Sequence, residues 1–310
     1  MRILTGLFFC SQANNEVLEF IKPAWNKMVA ISLEEKWMFL KREALSGNDD
    51  DSLPASDDFF SLVFPWEALL SDGIHYTDFV RSLFIQPDFF ARIRPGYKNQ
   101  VKDKLISRSV PFGIIREDSL SFNNTTQLSD VVELDKEVVI QDDSSQRIAD
   151  FLKPLRTGKM LKVWDCCAGS GGKSILVKDI LGEIELTVSD IRESILINLR
   201  KRFSTAGIKE YRSHLIDLTK PASQGSGYSA GAFDLVICDV PCSGSGTWAR
   251  TPEQLYFWSE TKILSYVQTQ ERITSRIIPY IKKGGYLLYI TCSVFKEENE
   301  NRVNSIMQQF

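Results

Sequence analysis

Histidine, paired cysteines, long apolar runs and net charge are all scarce in this 310-residue chain, and each scarcity excludes something. There are only two histidines, and the six cysteines (Cys10, Cys166, Cys167, Cys238, Cys242, Cys292) form no CxxC pair and no His-rich spacing. That leaves no framework for a structural zinc or a disulfide-stapled scaffold. Five of the six lie in or beside apolar strand-like runs, as expected of thiols kept reduced. No apolar run reaches the roughly 18 residues of a membrane span, and the N-terminus lacks an export-signal pattern. The expectation is a soluble, cytoplasmic protein with no membrane partner. A formal charge of −3 gives no global basic signature, so any polyanion partner must be held by a local patch. The length suits about two domains with a full core, and no internal repeat is visible.

The first 90 or so residues read as helices. Val17, Phe20 and Ile21 recur at helical spacing, as do Leu33, Trp37 and Leu40. The stretch 47–58, GNDDDSLPASDD, combines turn formers with five aspartates and reads as an exposed loop. It lacks EF-hand ligand spacing and the closing Glu, so no metal is expected there. His75 falls at a loop or helix start, with a surface or core role.

At 92–116 the balance changes. Seven basic residues (Arg92, Arg94, Lys98, Lys102, Lys104, Arg108, Arg116) face one acid, Asp103, with Tyr97, Phe112 and Phe122 interleaved or just beyond. The pattern of a strand at 89–93, a helix at 98–109 and a strand at 112–115 predicts a small α/β unit. Its charge and aromatics suit a single-stranded nucleic acid, and a solvated helix face is the plainer alternative. A further strand is expected at 138–141, then a helix from QDDSSQ with Asp143, Ser144 or Ser145 as cap.

From residue 161 strands and helices alternate: strands at 162–166, 185–188, 210–215, 233–238 and 286–291, helices at 173–181, 193–205 and 261–281. This predicts a doubly wound, mostly parallel α/β sheet. Gly284 and Gly285 are read as the break between the last helix and the last strand.

The loop DCCAGSGGKS at 165–174 follows a strand and opens a helix, where glycines permit tight turning and close approach of a ligand. Two ligand classes fit. A phosphate loop needs GxxxxGK[ST]; Gly172, Lys173 and Ser174 supply its tail, Cys167 replaces its first glycine, and Asp239 could pose as the magnesium acid. The other ligand is S-adenosylmethionine, which needs a glycine turn and an acid ending the next strand to bind the ribose hydroxyls. Asp190 stands 21 residues after Gly169, close to the expected spacing, and Asp217 after the next strand is placed to meet the adenine. Three signals in register favour the methyl donor.

Two strand ends carry thiols. FDLVICDVPCSGSGTW closes its strand on Asp239 and turns through Pro241 to Cys242; GGYLLYITCS ends on Cys292. Ligands of doubly wound sheets lie beyond the carboxyl ends of the strands, so the glycine loop, Asp239, Cys242 and Cys292 should share one crevice. Carbon 5 of a pyrimidine is a poor nucleophile until a thiolate adds at carbon 6, a step suited to covalent catalysis by cysteine. Nearby positive charge such as Lys173 would lower the pKa of that cysteine.

The signatures DVPCSGSGT and ITCSVFKEENE, joined to DCCAGSGGK and QDDSSQ, resemble the RNA cytosine-5 methyltransferases of the Sun/RsmB type over roughly 83–309. The resemblance implies a Rossmann-like class I methyltransferase sheet, preceded by a small α/β RNA-binding subdomain and an N-terminal helical region. The corresponding divisions are a NusB-like remnant at 1–88, an RNA-positioning subdomain at 89–145 and a catalytic domain at 146–310. By the same resemblance Cys292 is the nucleophile, Cys242 releases the methylated product, Asp239 contacts the cytosine edge and Lys173 assists. Cys167, Ala168, Gly169, Ser170, Gly171, Gly172 and Lys173, with Asp190, Asp217 and Asp239, would hold S-adenosylmethionine. The implied partner is RNA, ribosomal first and transfer RNA second, bound by a monomer. Arg250 matches a basic position of the family, while Cys166 and Cys238 are expected to be packing residues. The loop reads CAGSGGK where many relatives have CAAPGGK, which keeps the turn but softens it. Relatives continue into a last helix and two more strands, so this chain is expected to stop short of them. A phosphate-loop triphosphatase and an inactive RNA-binding protein are the alternatives.

Overall fold

The computed structural model describes residues 2–46, 56, 58–220 and 228–309, so most of the acidic stretch 47–58 lies outside the described residues. Two compact units are present, and neither is one continuous stretch of chain. The first comprises Met1–Pro87, Gly244–Glu260 and Ser293–Asn299; the second comprises Asp88–Ser243, Thr261–Cys292 and Glu300–Phe310.

The first unit contains the expected helices, among them Arg2–Cys10, Glu16–Ile21 and Leu33–Ser46. Lys36 is fully buried, and its ammonium donates to the carbonyls of Phe8, Phe9 and Ser11 at 3.0, 3.4 and 2.7 Å. It thereby satisfies the orphan acceptors that end the first helix. The apolar stripe Val17, Phe20 and Ile21 faces outward instead, with Phe20 90% exposed, and Leu18 supplies the buried contact of that short helix. His75 is the N-cap residue of the helix Tyr76–Ser82, as expected for a helix start. Phe64, Trp248, Trp258 and Phe295 form an aromatic cluster that binds the unit's three chain segments together.

The second unit holds two sheets. The smaller is antiparallel in the order β2-β3-β1-β4, with β1 at Phe89–Ile93, β2 at Gly113–Arg116, β3 at Ser119–Phe122 and β4 at Val138–Ile140. The helix Lys98–Ser107 seats Val101 and Leu105 in its core. Strand β3 has no counterpart among the sequence expectations: its serines give no β signal, and the hairpin turn at Glu117 and Asp118 lacks the Asn-Gly or Asp-Gly signature. The helix after β4 begins at Asp143 itself, whose carboxylate pairs with Arg116 at 2.6 Å.

The larger sheet is parallel throughout, in the order β7-β6-β5-β8-β9. Its strands are β5 at Leu161–Asp165, β6 at Ile184–Asp190, β7 at Arg212–Leu215, β8 at Phe233–Asp239 and β9 at Ile281–Ile290. Their alternation with the helices Gly172–Leu181, Glu193–Thr205 and Thr261–Ile277 follows the sequence reading closely. One boundary differs. The helix Thr261–Ile277 stops before Pro279, and the glycine pair lies inside β9 as a bulge, where the register with β8 jumps from Phe233↔Ile281 to Leu235↔Tyr286. Gly284 has φ +76°, and a Cβ on Gly285 would lie 2.9 Å from the Lys282 carbonyl oxygen, so both positions suit glycine. The central strands carry the core, with Val163, Val188, Leu235 and Ile237 all buried. Among the described residues no helix is long and apolar enough to cross a membrane.

Candidate active site

A parallel sheet delivers all its carboxyl ends to one edge, and here that edge receives Asp165 from β5, Asp190 from β6 and Asp239 from β8. Asp217 follows β7 by two residues, and Cys292 follows β9 by two. Strand order reverses between β5 and β8, the switch point at which such sheets bind ligands.

The glycine loop leaves β5 at Asp165 and enters the helix Gly172–Leu181. Gly169 and Gly171 adopt φ +52° and +85°, conformations that cost other residues energy. Gly171 is also required by packing, because a Cβ there would lie 2.6 Å from the Phe203 ring. Gly169 has open space where its Cβ would be. The Asp190 carboxylate accepts the Gly169 N–H at 3.0 Å on one oxygen and the Arg192 N–H at 2.9 Å on the other. Ala168 donates its N–H to the Ser189 carbonyl at 2.9 Å. Asp165 is fully buried and accepts the Ser174 hydroxyl at 2.6 Å, while its Oδ1 has no protein partner; burial pushes its pKa up to about 7. Asp217 accepts the hydroxyl and N–H of Thr219 at 2.5 and 2.9 Å and pairs with Lys220 at 3.3 Å. The Thr219 hydroxyl bond is the largest cause holding the Asp217 carboxyl below its ordinary range.

The two cysteine signatures meet because β8 and β9 are neighbours. Pairing continues past the strands through the Val240 N–H to the Ile290 carbonyl at 3.1 Å. Cys242 and Cys292 then lie with their sulfurs 3.4 Å apart. The Cys292 N–H donates to the Cys242 sulfur, also at 3.4 Å. Either sulfur can donate the hydrogen bond between them; once Cys292 is a thiolate the donor is the Cys242 S–H, and this hydrogen bond is the largest cause holding the exposed Cys292 thiol below its ordinary pKa. Lys173 lowers it further, while burial and Asp239 oppose. The Lys173 ammonium is held on Asp239 at 2.5 Å. The sequence reading gave nearby positive charge such as Lys173 a part in the activation, and it has one; the neighbouring thiol contributes more, because it bonds the sulfur directly.

Cys166 and Cys238 are buried among Trp164, Val236 and Ile277, in the packing role expected of them, and burial pushes both thiols up. Their hydrogen bonds draw the half-buried Cys167 thiol down. Two supports of the site went unread in the sequence. Gln270, fully buried on the long helix, donates to the Pro241 carbonyl at 3.1 Å and accepts the Tyr289 hydroxyl at 3.1 Å. A long polar side chain on a buried face shared with Ile263, Ile273, Thr274 and Ile277 was the available signal. In the first unit, Ser245 accepts the Val294 N–H at 2.8 Å and lies 3.3 Å from the Ser293 hydroxyl, which donates to the buried Glu298 at 2.5 Å. No periodicity marks that network.

The basic stretch 92–116 is not the open patch its composition suggested. Arg92 and Arg94 converge on Asp179 at 2.7 and 2.9 Å, Lys104 pairs with the buried Glu137 at 2.8 Å, and Lys98 and Arg116 pair with Glu117 and Asp143. Only Lys102 and Arg108 of the seven make no ion pair among the described residues. Phe122, expected as an aromatic beside the charges, is buried and stacks on Phe89 at 5.1 Å. A β3 side chain facing the helix cannot also face a base.

Comparison with known proteins bears on the ligand class. Among curated relatives, ribosomal RNA small subunit methyltransferase B of Photorhabdus laumondii is 31% identical over 173 residues, covering 56% of this chain and 38% of that protein. The chain thus spans well under half the length of the curated relatives it matches. Among solved structures, PH0851 superposes with a TM-score of 0.70 at 21% identity, covering 95% of this chain and 66% of the other. NSun6 from Pyrococcus horikoshii gives 0.62 at 14% identity, covering 81% and 86%. At such identities the likeness concerns the fold, a Rossmann-like class I methyltransferase sheet with a helical region before it. The triphosphatase alternative is not favoured. A family profile described as 16S rRNA methyltransferase RsmB/F matches residues 149–310, a span that contains the glycine loop and both cysteine signatures, and the chain belongs to that family.

Proposed function

We propose that this protein transfers a methyl group from S-adenosylmethionine to carbon 5 of a cytosine in ribosomal RNA, through a covalent adduct on Cys292. The observation that carries the reading is the pair of sulfurs 3.4 Å apart at the ends of adjacent parallel strands, with the Lys173–Asp239 pair on the same sheet edge. The residues suit the methyl donor. It is a cation with ribose hydroxyls and an ammonium group, and the strand ends offer Asp165, with an unpartnered buried oxygen, together with Asp190 and Asp217. When bound, it supplies an electrophilic methyl group on a sulfonium. Cys167, Ala168, Gly169, Ser170, Gly171, Gly172 and Lys173 would line it, with Asp239 at the junction with the base.

The protein's own groups then divide the work. Cys292, held toward its thiolate by the Cys242 hydrogen bond, adds through Sγ to carbon 6 of the cytosine. Asp239 receives the amino and ring-nitrogen edge, and a proton delivered to ring nitrogen 3 leaves an enamine whose carbon 5 is nucleophilic. After methylation carbon 5 must lose its proton; as it does, the carbon 6–sulfur bond breaks, the nitrogen proton departs and Cys292 is regenerated. Cys242 is assigned to this release.

The test is in vitro methylation of ribosomal RNA by single-cysteine variants. Cys292→Ala is expected to abolish 5-methylcytosine, and Cys242→Ala to accumulate a covalent RNA–protein species on a denaturing gel. Normal turnover by Cys292→Ala would sink the assignment. Bisulfite mapping of cellular RNA with and without the gene identifies the molecule and the base, and modification confined to transfer RNA would replace the ribosomal assignment.

A further inference from the structure

We propose that Arg202 is a positioning residue for the methyl-donor loop: it straps Ser170 to Asp135 and thereby sets the affinity for S-adenosylmethionine. The inference rests on the reading of 167–173 as the donor loop. Three points of that loop have distinct anchors. Gly169 is pinned by the Asp190 carboxylate, and Gly171 is seated on Leu199 and Phe203 of the helix Glu193–Thr205. Ser170, between two glycines of positive φ, is held by Arg202 from the same helix. Its Nη1 donates to the Ser170 hydroxyl at 2.9 Å and the Ser170 carbonyl at 3.2 Å.

The other arm of the guanidinium reaches the small sheet. Arg202 Nε donates to both Asp135 carboxylate oxygens at 3.0 and 2.9 Å, and Nη2 donates to Oδ1 at 2.6 Å. Asp135 stands in the turn before β4 at φ +64°, a left-handed conformation unusual outside glycine. Its N–H bonds the Val138 carbonyl at 2.7 Å. Arg94 clamps the same turn by donating to the Asp135 and Ala206 carbonyls at 2.9 and 2.8 Å. The turn is thus fixed against the end of the helix that carries Arg202.

Two effects on the donor follow. Fixing Ser170 removes the freedom that its flanking glycines would allow, so less ordering is needed when the ligand binds. Asp135 also neutralises a guanidinium that would otherwise repel a cationic ligand beside the loop. The second effect distinguishes S-adenosylmethionine from its demethylated product, S-adenosylhomocysteine, whose sulfur is uncharged.

The experiment is calorimetric titration of the full chain with each of these two compounds, alongside thermal melts. Ser170→Ala and Arg202→Gln are expected to raise both Kd values about tenfold, the loss of a charge-assisted hydrogen bond. Arg202→Lys is not expected to rescue, because a point charge cannot span both partners. Asp135→Asn tolerates the left-handed backbone and keeps one acceptor oxygen; it is expected to weaken the sulfonium ligand at least about threefold more than the uncharged one, a selective effect that a loss of folding would not produce. Wild-type Kd values in Ser170→Ala, or an unchanged ratio in Asp135→Asn, overturn the proposal. If Arg202→Gln does not fold, Ser170→Ala decides. Failure of the wild-type chain to bind either compound instead overturns the donor-loop reading itself.

Discussion

Cys292 owes its low pKa to a neutral neighbour. A thiol S–H donates to it, and the cation that helps, Lys173, is largely neutralised by Asp239. This gives a pH dependence with a definite sign. An ordinary cysteine titrates near 8.5, and a lowered pKa moves thiolate formation to lower pH. Alkylation of Cys292 by iodoacetamide, followed by peptide mass spectrometry, should rise with pH through a midpoint below that of an ordinary cysteine. Cys242→Ala removes the largest lowering cause, so the midpoint is expected to move up, by about one pH unit for a hydrogen bond to a charged group. An unmoved midpoint would assign the activation to Lys173 instead. Both cysteines were visible in the sequence, but the approach of their sulfurs depended on β8 and β9 being neighbours in the sheet.

At the scale of elements, the glycine loop shows two glycines with different duties. Both have positive φ, but only at Gly171 would a Cβ strike another side chain, 2.6 Å from Phe203. Gly169→Ala is therefore expected to cost about 1–2 kcal/mol of stability, the left-handed penalty alone. Gly171→Ala adds overpacking and should cost roughly 2–5 kcal/mol in total. Urea unfolding midpoints of the two variants measure the difference, and equal losses would contradict the packing assignment. The loop's position between strand and helix was legible because glycines, strand and helix follow one another in the chain. The identity of the shelf beneath it was not, since Leu199, Arg202 and Phe203 come from a helix over twenty residues away.

At the scale of the whole molecule, the basic stretch 92–116 is mainly an internal fastening of the second unit. Arg92, Arg94 and Asp179 form a buried triad that ties the small sheet to the helix Gly172–Leu181. Asp179→Ala leaves two guanidinium groups without their carboxylate and is expected to cost about 3–5 kcal/mol. Lys98→Ala breaks only an exposed, solvent-screened pair with Glu117 and should leave stability nearly unchanged. Denaturant midpoints compare the two, and limited proteolysis of Asp179→Ala should begin within 94–137. Equal midpoints for the two variants would show that the triad is no stronger than a surface pair.

The sequence by itself determined the order of strands and helices from 161 onward, because apolar runs of period two and three to four alternate there with glycine and proline punctuation. It also placed Asp239, Cys242, Cys292 and the glycine loop at strand ends, where a parallel sheet exposes its ligands. Tertiary structure decided which charges are available. Arg92 and Arg94 read alike with Lys102 and Arg108 in the chain, and only the approach of Asp179, from a helix some eighty residues on, separates fastening from free surface. It likewise placed the glycine pair at 284–285 inside a strand rather than before one, because the register with β8, a long-range pairing, sets where β9 begins.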